Sequence, residues 1–146
     1  MHPLRWLSSI VLPFAAMFAL GGLWNTVLAG AFHARHAPAI ARSADGVSMA
    51  FLVAGYGAAT AFMAFLFPQS FRARVGLADG FRFGALFGLV MTLPTYLLLH
   101  AGWDVHLGML LADSGWHAFE KGVGGMLMAA LFRPSGPPPD ASATPS

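Results

Sequence analysis

The chain has 146 residues, of which 57% are hydrophobic and only 10% are charged, with a formal net charge of +2. A soluble domain carries roughly 25% charged residues, so this composition excludes an ordinary soluble fold and indicates a chain surrounded largely by lipid. The absence of cysteine excludes disulfides, thiolate metal sites, iron–sulfur clusters and cysteine nucleophiles.

Three long stretches of the chain contain no Asp, Glu, Lys or Arg: residues 6–29, 46–71 and 83–103. A helix needs about 20 apolar residues to cross a bilayer core, so we predict spans at about 6–29, 47–68 and 82–103. None of the stretches alternates as a barrel strand would. The first could instead be a signal peptide, but its apolar core is longer than the usual 7–15 residues, roughly.

A fourth span at about residues 109–133 is interrupted by the charged sequence DSGWHAFEKGVGG at 113–125. One interpretation is a single helix over the whole range. The other is a break at Ser114–Gly115, followed by a shorter span that begins at Trp116. We favour the continuous helix, because one glycine does not reliably break a membrane helix.

The charged sequence forms a polar stripe if the helix is continuous. Asp113, His117, Glu120 and Lys121 then follow the spacing i, i+4, i+7, i+8, which places them on one face. Such a face in a membrane helix turns toward the bundle or a watery cavity. If the helix begins at Trp116 instead, Glu120 lies in its first turn and Lys121 snorkels to the interface. The sequence is compatible with both interpretations.

Further polar residues could support the stripe. Tyr56 and Tyr96 fall near the middles of their spans, where their hydroxyls need partners in a dry interior. His100 and Asn25 lie near the same predicted side of the membrane as Asp113. Convergence of these four residues on the stripe would create a polar path, whereas local hydrogen bonds would make them purely structural.

Small residues spaced four apart predict close contact between the spans. The candidates are Gly55, Gly57 and Ala59 in the second span, Gly84 and Gly88 in the third, and Gly125 and Ala129 in the fourth. Close backbone approach, rather than apolar burial, joins helices in lipid. We therefore predict an all-α, four-helix transmembrane bundle over residues 1–133.

Arginine distribution predicts the orientation. Five arginines (Arg5, Arg72, Arg74, Arg82 and Arg133) lie on one side, and two (Arg35 and Arg42) lie on the other, or three cations if Lys121 is counted. The excess places both termini in the cytoplasm. The arginines beside the second span can touch anionic lipid, and no pattern supports a nucleic-acid partner. Residues 134–146 are rich in proline and are predicted to be disordered.

Histidines and carboxylates on the predicted outer side leave three functional interpretations open. Imidazole and carboxylate ligands suit a metal ion, for which the candidates are His33, His36, His100, His106, His117 and Glu120. The same groups could bind and release protons, because imidazole titrates near pH 6.5, roughly. Haem held between His100 and His117 is the third. No recognised metal or haem motif is present, so no cofactor is predicted.

The sequence GGLWN, with Gly21, Gly22, Trp24 and Asn25, ends the first span, and Gly84 and Gly88 lie in the third. In this order of features the chain resembles small bacterial inner-membrane proteins with four predicted spans. The resemblance implies a multi-pass protein of the bacterial inner membrane and implies no activity.

No catalytic motif is found: the chain has no G-x-S-x-G elbow, Walker A loop or dinucleotide fingerprint. The favoured interpretation is a non-enzymatic accessory or assembling subunit, with lipid and either a second copy or another membrane protein as partners. The rival interpretation is a small transporter or ion- and proton-handling protein that uses the stripe.

Overall fold

The computed structural model describes residues 3–36, 46–71 and 75–132, and every regular element among them is helical. Helix α1 spans Pro3–Leu23 and continues into a π-helical segment at Trp24–Leu28, which is followed by α2 (Gly30–His36), α3 (Met49–Ser70), α4 (Leu77–Gly102) and α5 (Leu107–Phe132). The predicted all-α class is confirmed. The predicted disordered tail, residues 134–146, lies outside the described residues.

Helix α5 lies at the centre of the bundle and packs antiparallel to α4. Gly88 of α4 lies against the backbone at His117 of α5, and Gly80 lies against the backbone at Gly125. The helix continues through Ser114 and Gly115 without a break, so the structure has the continuous form of the two alternatives.

Helices α1 and α3 cover the other sides of α5. Trp24, just beyond α1, contacts Asp113 near the start of α5, so these helices are also antiparallel. Tyr56 of α3 contacts Glu120 of α5. Phe67, further along α3, stacks on Phe132, further along α5, so the two helices run in the same direction. The bundle therefore has a His33 end, where α2 lies and α5 begins, and a Phe132 end, where α5 finishes.

Three helical stretches, Trp6–Leu28, Met49–Ser70 and Leu77–Gly102, are long and apolar enough to cross a membrane. Large apolar side chains cover their outer surfaces, with Phe51 81% exposed and Leu98 74% exposed. Exposure of these apolar side chains to water would be unfavourable, whereas their exposure to lipid is not. Helix α5 is not among the three stretches, because charged residues interrupt it.

Glycines allow α4 and α5 to approach at backbone distance. A Cβ atom at Gly84 would overlap the carbonyl oxygen of Lys121, and one at Gly88 would overlap that of His117. From the other side, a Cβ at Gly125 would overlap the carbonyl oxygen of Gly80. Close contact of this kind joins helices where lipid removes the hydrophobic driving force.

The Phe132 end of the bundle is closed by an apolar core. Its buried members are Met63, Ala64, Phe67, Phe87, Met128 and Ala129. The ring of Phe67 is at the centre, 5.2 Å from Phe83 in an edge contact and 5.5 Å from Phe132 in a stacked one, measured between centroids. Residues 122–132 of α5 contain no titratable side chain, so polar groups of α5 are confined to its first two-thirds.

Helix α4 begins earlier than predicted, at Leu77 rather than near residue 82. Asp79 explains the difference, because its Oδ2 accepts a hydrogen bond from the Gly76 N–H at 3.1 Å and satisfies a free donor at the helix start. Helix α3 likewise extends to Ser70, beyond the predicted end at Pro68. Arg42, Arg72, Arg74 and Arg133, on which the predicted orientation partly depends, lie outside the described residues.

Replacement of Gly84 by alanine tests the α4–α5 contact. The added methyl meets the Lys121 carbonyl, so we expect the free energy of unfolding to fall by about 1–3 kcal/mol, as for other overpacked sites. Gly57→Ala is the matched control, because nothing in the described part of the chain lies within 4 Å of its Cβ position. Thermal unfolding in detergent is the measurement, and equal midpoints for the two variants would contradict the packing described here.

Candidate functional site

The carboxylate of Glu120 is completely buried on the central helix. Lys121 Nζ donates to its Oε1, and the hydroxyl of Tyr56 donates to its Oε2 at 3.1 Å. His117 Nδ1 lies 3.5 Å from the same Oε2. A buried carboxylate is tolerated only when it is paired and hydrogen-bonded, and these contacts from α3 and α5 supply both conditions.

Lys121 points into the bundle rather than toward an interface. Lys121 is only 6% exposed. Its ammonium group lies 4.5 Å from the centroid of the Tyr56 ring, a distance at which a cation and an aromatic face attract one another. Because α5 begins at Leu107, Glu120 lies roughly 3.6 turns into the helix. The interpretation with Glu120 in a first turn and a snorkelling Lys121 therefore does not describe this structure.

Gly21 of α1 leaves the space in which Tyr56 and Glu120 meet. A Cβ atom at this position would overlap the Tyr56 hydroxyl and would lie 3.4 Å from Glu120 Oε2. The neighbouring ring of Phe18 makes an edge contact with the Tyr56 ring at 5.4 Å. Helix α1 thus closes over the carboxylate without displacing the tyrosine that hydrogen-bonds it.

His117 lies about one turn from Glu120 on α5, on the side of the His33 end. Its ring lies 6.5 Å from that of Tyr96, measured between centroids. Its Nδ1 is buried and has no hydrogen-bond partner among the described residues. A small movement of the ring would bring this nitrogen within hydrogen-bond distance of Glu120, because the present separation is just beyond that range.

Asp113 lies at the His33 end of the same helical face. Its Oδ1 accepts a hydrogen bond from Trp24 Nε1 at 2.7 Å and lies 2.8 Å from His33 Nε2. The indole of Trp24 stacks on Trp116 with centroids 4.8 Å apart and planes 11° from parallel. We use the name polar column for Asp113, His117, Glu120 and Lys121 with the flanking Tyr56 and Tyr96.

Two predicted supporting residues do not join the polar column. Asn25 is exposed, and its side-chain amide donates to the carbonyl of Gly21 one turn earlier. His100 is also exposed, and its Nδ1 lies 2.8 Å from the carbonyl oxygen of Val105. Each side chain hydrogen-bonds a nearby backbone carbonyl instead, which sequence spacing alone does not reveal.

The candidate metal ligands divide among separate contacts. His33 pairs with Asp113, whereas the rings of His36 and His106 lie together with centroids 4.2 Å apart. Each of these two rings directs one nitrogen to the backbone, His36 to the Phe32 carbonyl and His106 to the Met109 N–H. Among residues 3–36, 46–71 and 75–132, no three histidine or acidic side chains are arranged to hold a metal ion.

The predicted packing residues also divide into two groups. Gly84, Gly88, Gly125 and Ala129 lie in the α4–α5 contact. For Gly55 and Gly57, nothing in the described part of the chain lies within 4 Å of the Cβ position. The buried residues of α3 begin only at Thr60, and Ala59 is half-buried. Between the two glycines, Tyr56 reaches Glu120, so α3 contacts the bundle here through the tyrosine and not through its glycines.

Sequence reasoning missed several residues of the site. The sequence pattern places Gly21 only at a helix end and gives no role to Gly80, although Gly80, Gly84 and Gly88 follow one four-residue period that identifies the contact. The pairing of Trp24 and His33 with Asp113 spans 80 residues or more. No local pattern signals a contact at that separation.

Comparison of the chain with protein-family models, with curated proteins and with solved structures finds no match. The geometry of the polar column is therefore the basis for a functional assignment. Its distinguishing property is a fully buried acid that contacts a buried base inside a bundle with apolar outer surfaces.

The ion pair can be tested by removing one partner and then both. Lys121→Met leaves Glu120 buried without its cation, so we expect the free energy of unfolding to fall by about 3 kcal/mol or more. The double variant Glu120→Gln/Lys121→Met should recover most of that loss, because no uncompensated charge remains. Titration with a denaturing detergent is the measurement.

Arg82→Met is the matched control for this pair. Arg82 and Asp79 are 3.8 Å apart on an exposed surface, and such pairs contribute about 0–1 kcal/mol. A single Lys121→Met variant as stable as the Arg82→Met variant would show that the buried pair does not stabilise the bundle.

Proposed function

We propose that this protein is a multi-pass integral membrane protein that moves protons through the polar column, with Glu120 as the central proton-binding group. In this proposal α5 is the fourth span, both termini are cytoplasmic and the membrane is the bacterial inner membrane. The observation that carries the proposal is the buried Glu120 carboxylate in contact with Lys121, Tyr56 and His117.

The burial of its charges supports α5 as a span. Glu120 and Lys121 face the bundle, and Asp113 is held by Trp24 and His33. The side chains that α5 exposes include the apolar Leu111 and Phe119. Ionisable residues within membrane spans normally face inward in this way, and they mark ion pathways and proton relays.

The spacing of the column favours a proton over a larger solute. Tyr56 and Lys121 touch Glu120, and His117 lies just beyond hydrogen-bond distance from it. Groups in direct contact can pass a proton between heteroatoms, whereas a larger solute must separate them. Carboxylates, imidazoles and phenols all serve as proton donors and acceptors in proteins.

The column is connected to the His33 end and closed at the other. Beyond Lys121, the Met17 side chain packs at Gly124, and the apolar core around Phe67 follows. In this proposal a proton enters at Asp113, moves to the His117 imidazole one turn further along α5 when that ring shifts toward Asp113, and then reaches Glu120 Oε2, 3.5 Å from His117 Nδ1. Release at the Phe132 end requires a second arrangement of the bundle.

Protonation of Glu120 supplies a cause for that rearrangement. Once the carboxylate is neutral, Lys121 remains as a buried cation whose anion has been lost. An uncompensated buried charge is strongly destabilising, so the ammonium is driven toward another partner or toward the aqueous side. Proton binding and helix movement are thereby coupled through one ion pair.

Glu120→Gln tests proton movement directly. In proteoliposomes that contain a pH-sensitive dye, wild-type protein should dissipate an imposed proton gradient, and the variant should reduce the rate at least about tenfold because glutamine cannot bind and release the proton. Asp104→Asn is the control, since Asp104 is an exposed carboxylate outside the column. Equal rates for wild type and Glu120→Gln, or no wild-type flux, would refute the proposal.

A second candidate function, assembly with other membrane helices, is favoured by α3. All seven residues of its first two turns, 49–55, are exposed. Gly55 and Gly57, which suit close helix contact, face open space in the described part of the chain. Mass photometry in mild detergent should then detect a species larger than one chain, and a strictly monomeric protein that co-purifies with no partner would count against this function.

A further inference from the structure

Helix α2 lies over the His33 end of the bundle and is held there by few side chains. It has seven residues, too few for an isolated helix to be stable in water. His33 contacts Asp113 of α5 at 2.8 Å. The rings of Phe32 and His36 lie 6.2 Å and 4.2 Å from the ring of His106, measured between centroids. The position of α2 therefore depends on these contacts.

The entrance of the polar column lies beneath these contacts. Asp113 begins the column, yet its side chain is only 17% exposed because His33 and Trp24 cover it. Trp24 also covers Trp116 by stacking on it, and Trp116 is adjacent in the chain to His117. A proton carrier from the water must pass this layer of rings before it reaches His117.

We propose that α2 is a lid over the His33 end of the polar column and that Asp113 is the latch that holds it. Asp113 Oδ1 makes both contacts. One is with Nε1 of Trp24, which precedes α2 in the chain, and the other is with Nε2 of His33, which lies within α2. The lid controls access to the proton-binding group, so its effect on proton movement rests on the proposed function, whereas its attachment to Asp113 does not.

The charge of Asp113 contributes to both contacts that hold the lid. The titratable groups that face it are His33 from α2, Tyr96 from α4 and His117 on its own helix. Hydrogen bonds to a charged carboxylate are roughly twice as strong as those to a neutral acceptor. Loss of the negative charge at Asp113 would therefore weaken both contacts at once.

Hydrogen exchange of the full-length protein tests the latch without any measurement of transport. In Asp113→Ala, amides of residues 30–36 should exchange at least about tenfold faster than in wild type, because both contacts are lost. Asp113→Asn keeps an acceptor oxygen without the charge and should be intermediate. Arg82→Met is the control and should leave this exchange unchanged, because Arg82 is exposed and lies near the start of α4, at the opposite end of the bundle from α2. Unaltered exchange in Asp113→Ala overturns the proposal.

A disulfide across the lid tests its effect on access. The chain contains no cysteine, so the double variant His36→Cys/His106→Cys introduces a single possible crosslink between neighbouring positions. The oxidised protein should dissipate the proton gradient at least about tenfold more slowly than the same protein after reduction. Equal dissipation rates before and after reduction of a fully crosslinked sample would refute the proposal that α2 controls access. If Glu120→Gln does not slow proton movement, the proposed function is refuted. Hydrogen exchange in Asp113→Ala still tests the attachment of α2 to Asp113 in that case.

Discussion

The ion pair between Glu120 and Lys121 is the constraint around which the bundle is organised. Transfer of each charge out of water costs several kcal/mol even after relaxation, and only close pairing with further hydrogen bonds offsets it. The bundle meets this requirement with the Tyr56 hydroxyl on the carboxylate and the Tyr56 ring beside the ammonium. One tyrosine from α3 thus contacts both members of the pair.

Glycine placement makes this arrangement possible from two further helices. Gly84 lets the α4 backbone lie against the carbonyl of Lys121, which fixes the height and rotation of α5. Gly21 lets α1 lie against the Tyr56 hydroxyl and the Glu120 carboxylate. The close packing that joins the helices and the burial of the charges are consequently one feature of the molecule, because the same backbone contacts accomplish both.

Much of the fold follows from local sequence, whereas the site follows only in part. Run length predicts the long helices, since about 20 apolar residues match the thickness of a bilayer, and the i, i+4, i+7 spacing predicts that Asp113, His117 and Glu120 share one face of α5. The direction of Lys121 was not predictable, because the same sequence permits snorkelling or burial until the neighbouring helices are known. The unfilled space beside Gly57, and the distant partners of Asp113, likewise depend on tertiary packing.

The π-helical segment at Trp24–Leu28 determines where α2 can go. Its wider turn is closed by the bond from the Ala29 N–H to the Trp24 carbonyl, five residues back rather than four. Each residue of an α-helix advances the azimuth by about 100°, so one residue accommodated in a bulge re-aims everything that follows. The wider turn therefore sets the direction in which the chain leaves α1, and the contact between His33 and Asp113 then holds α2 against α5.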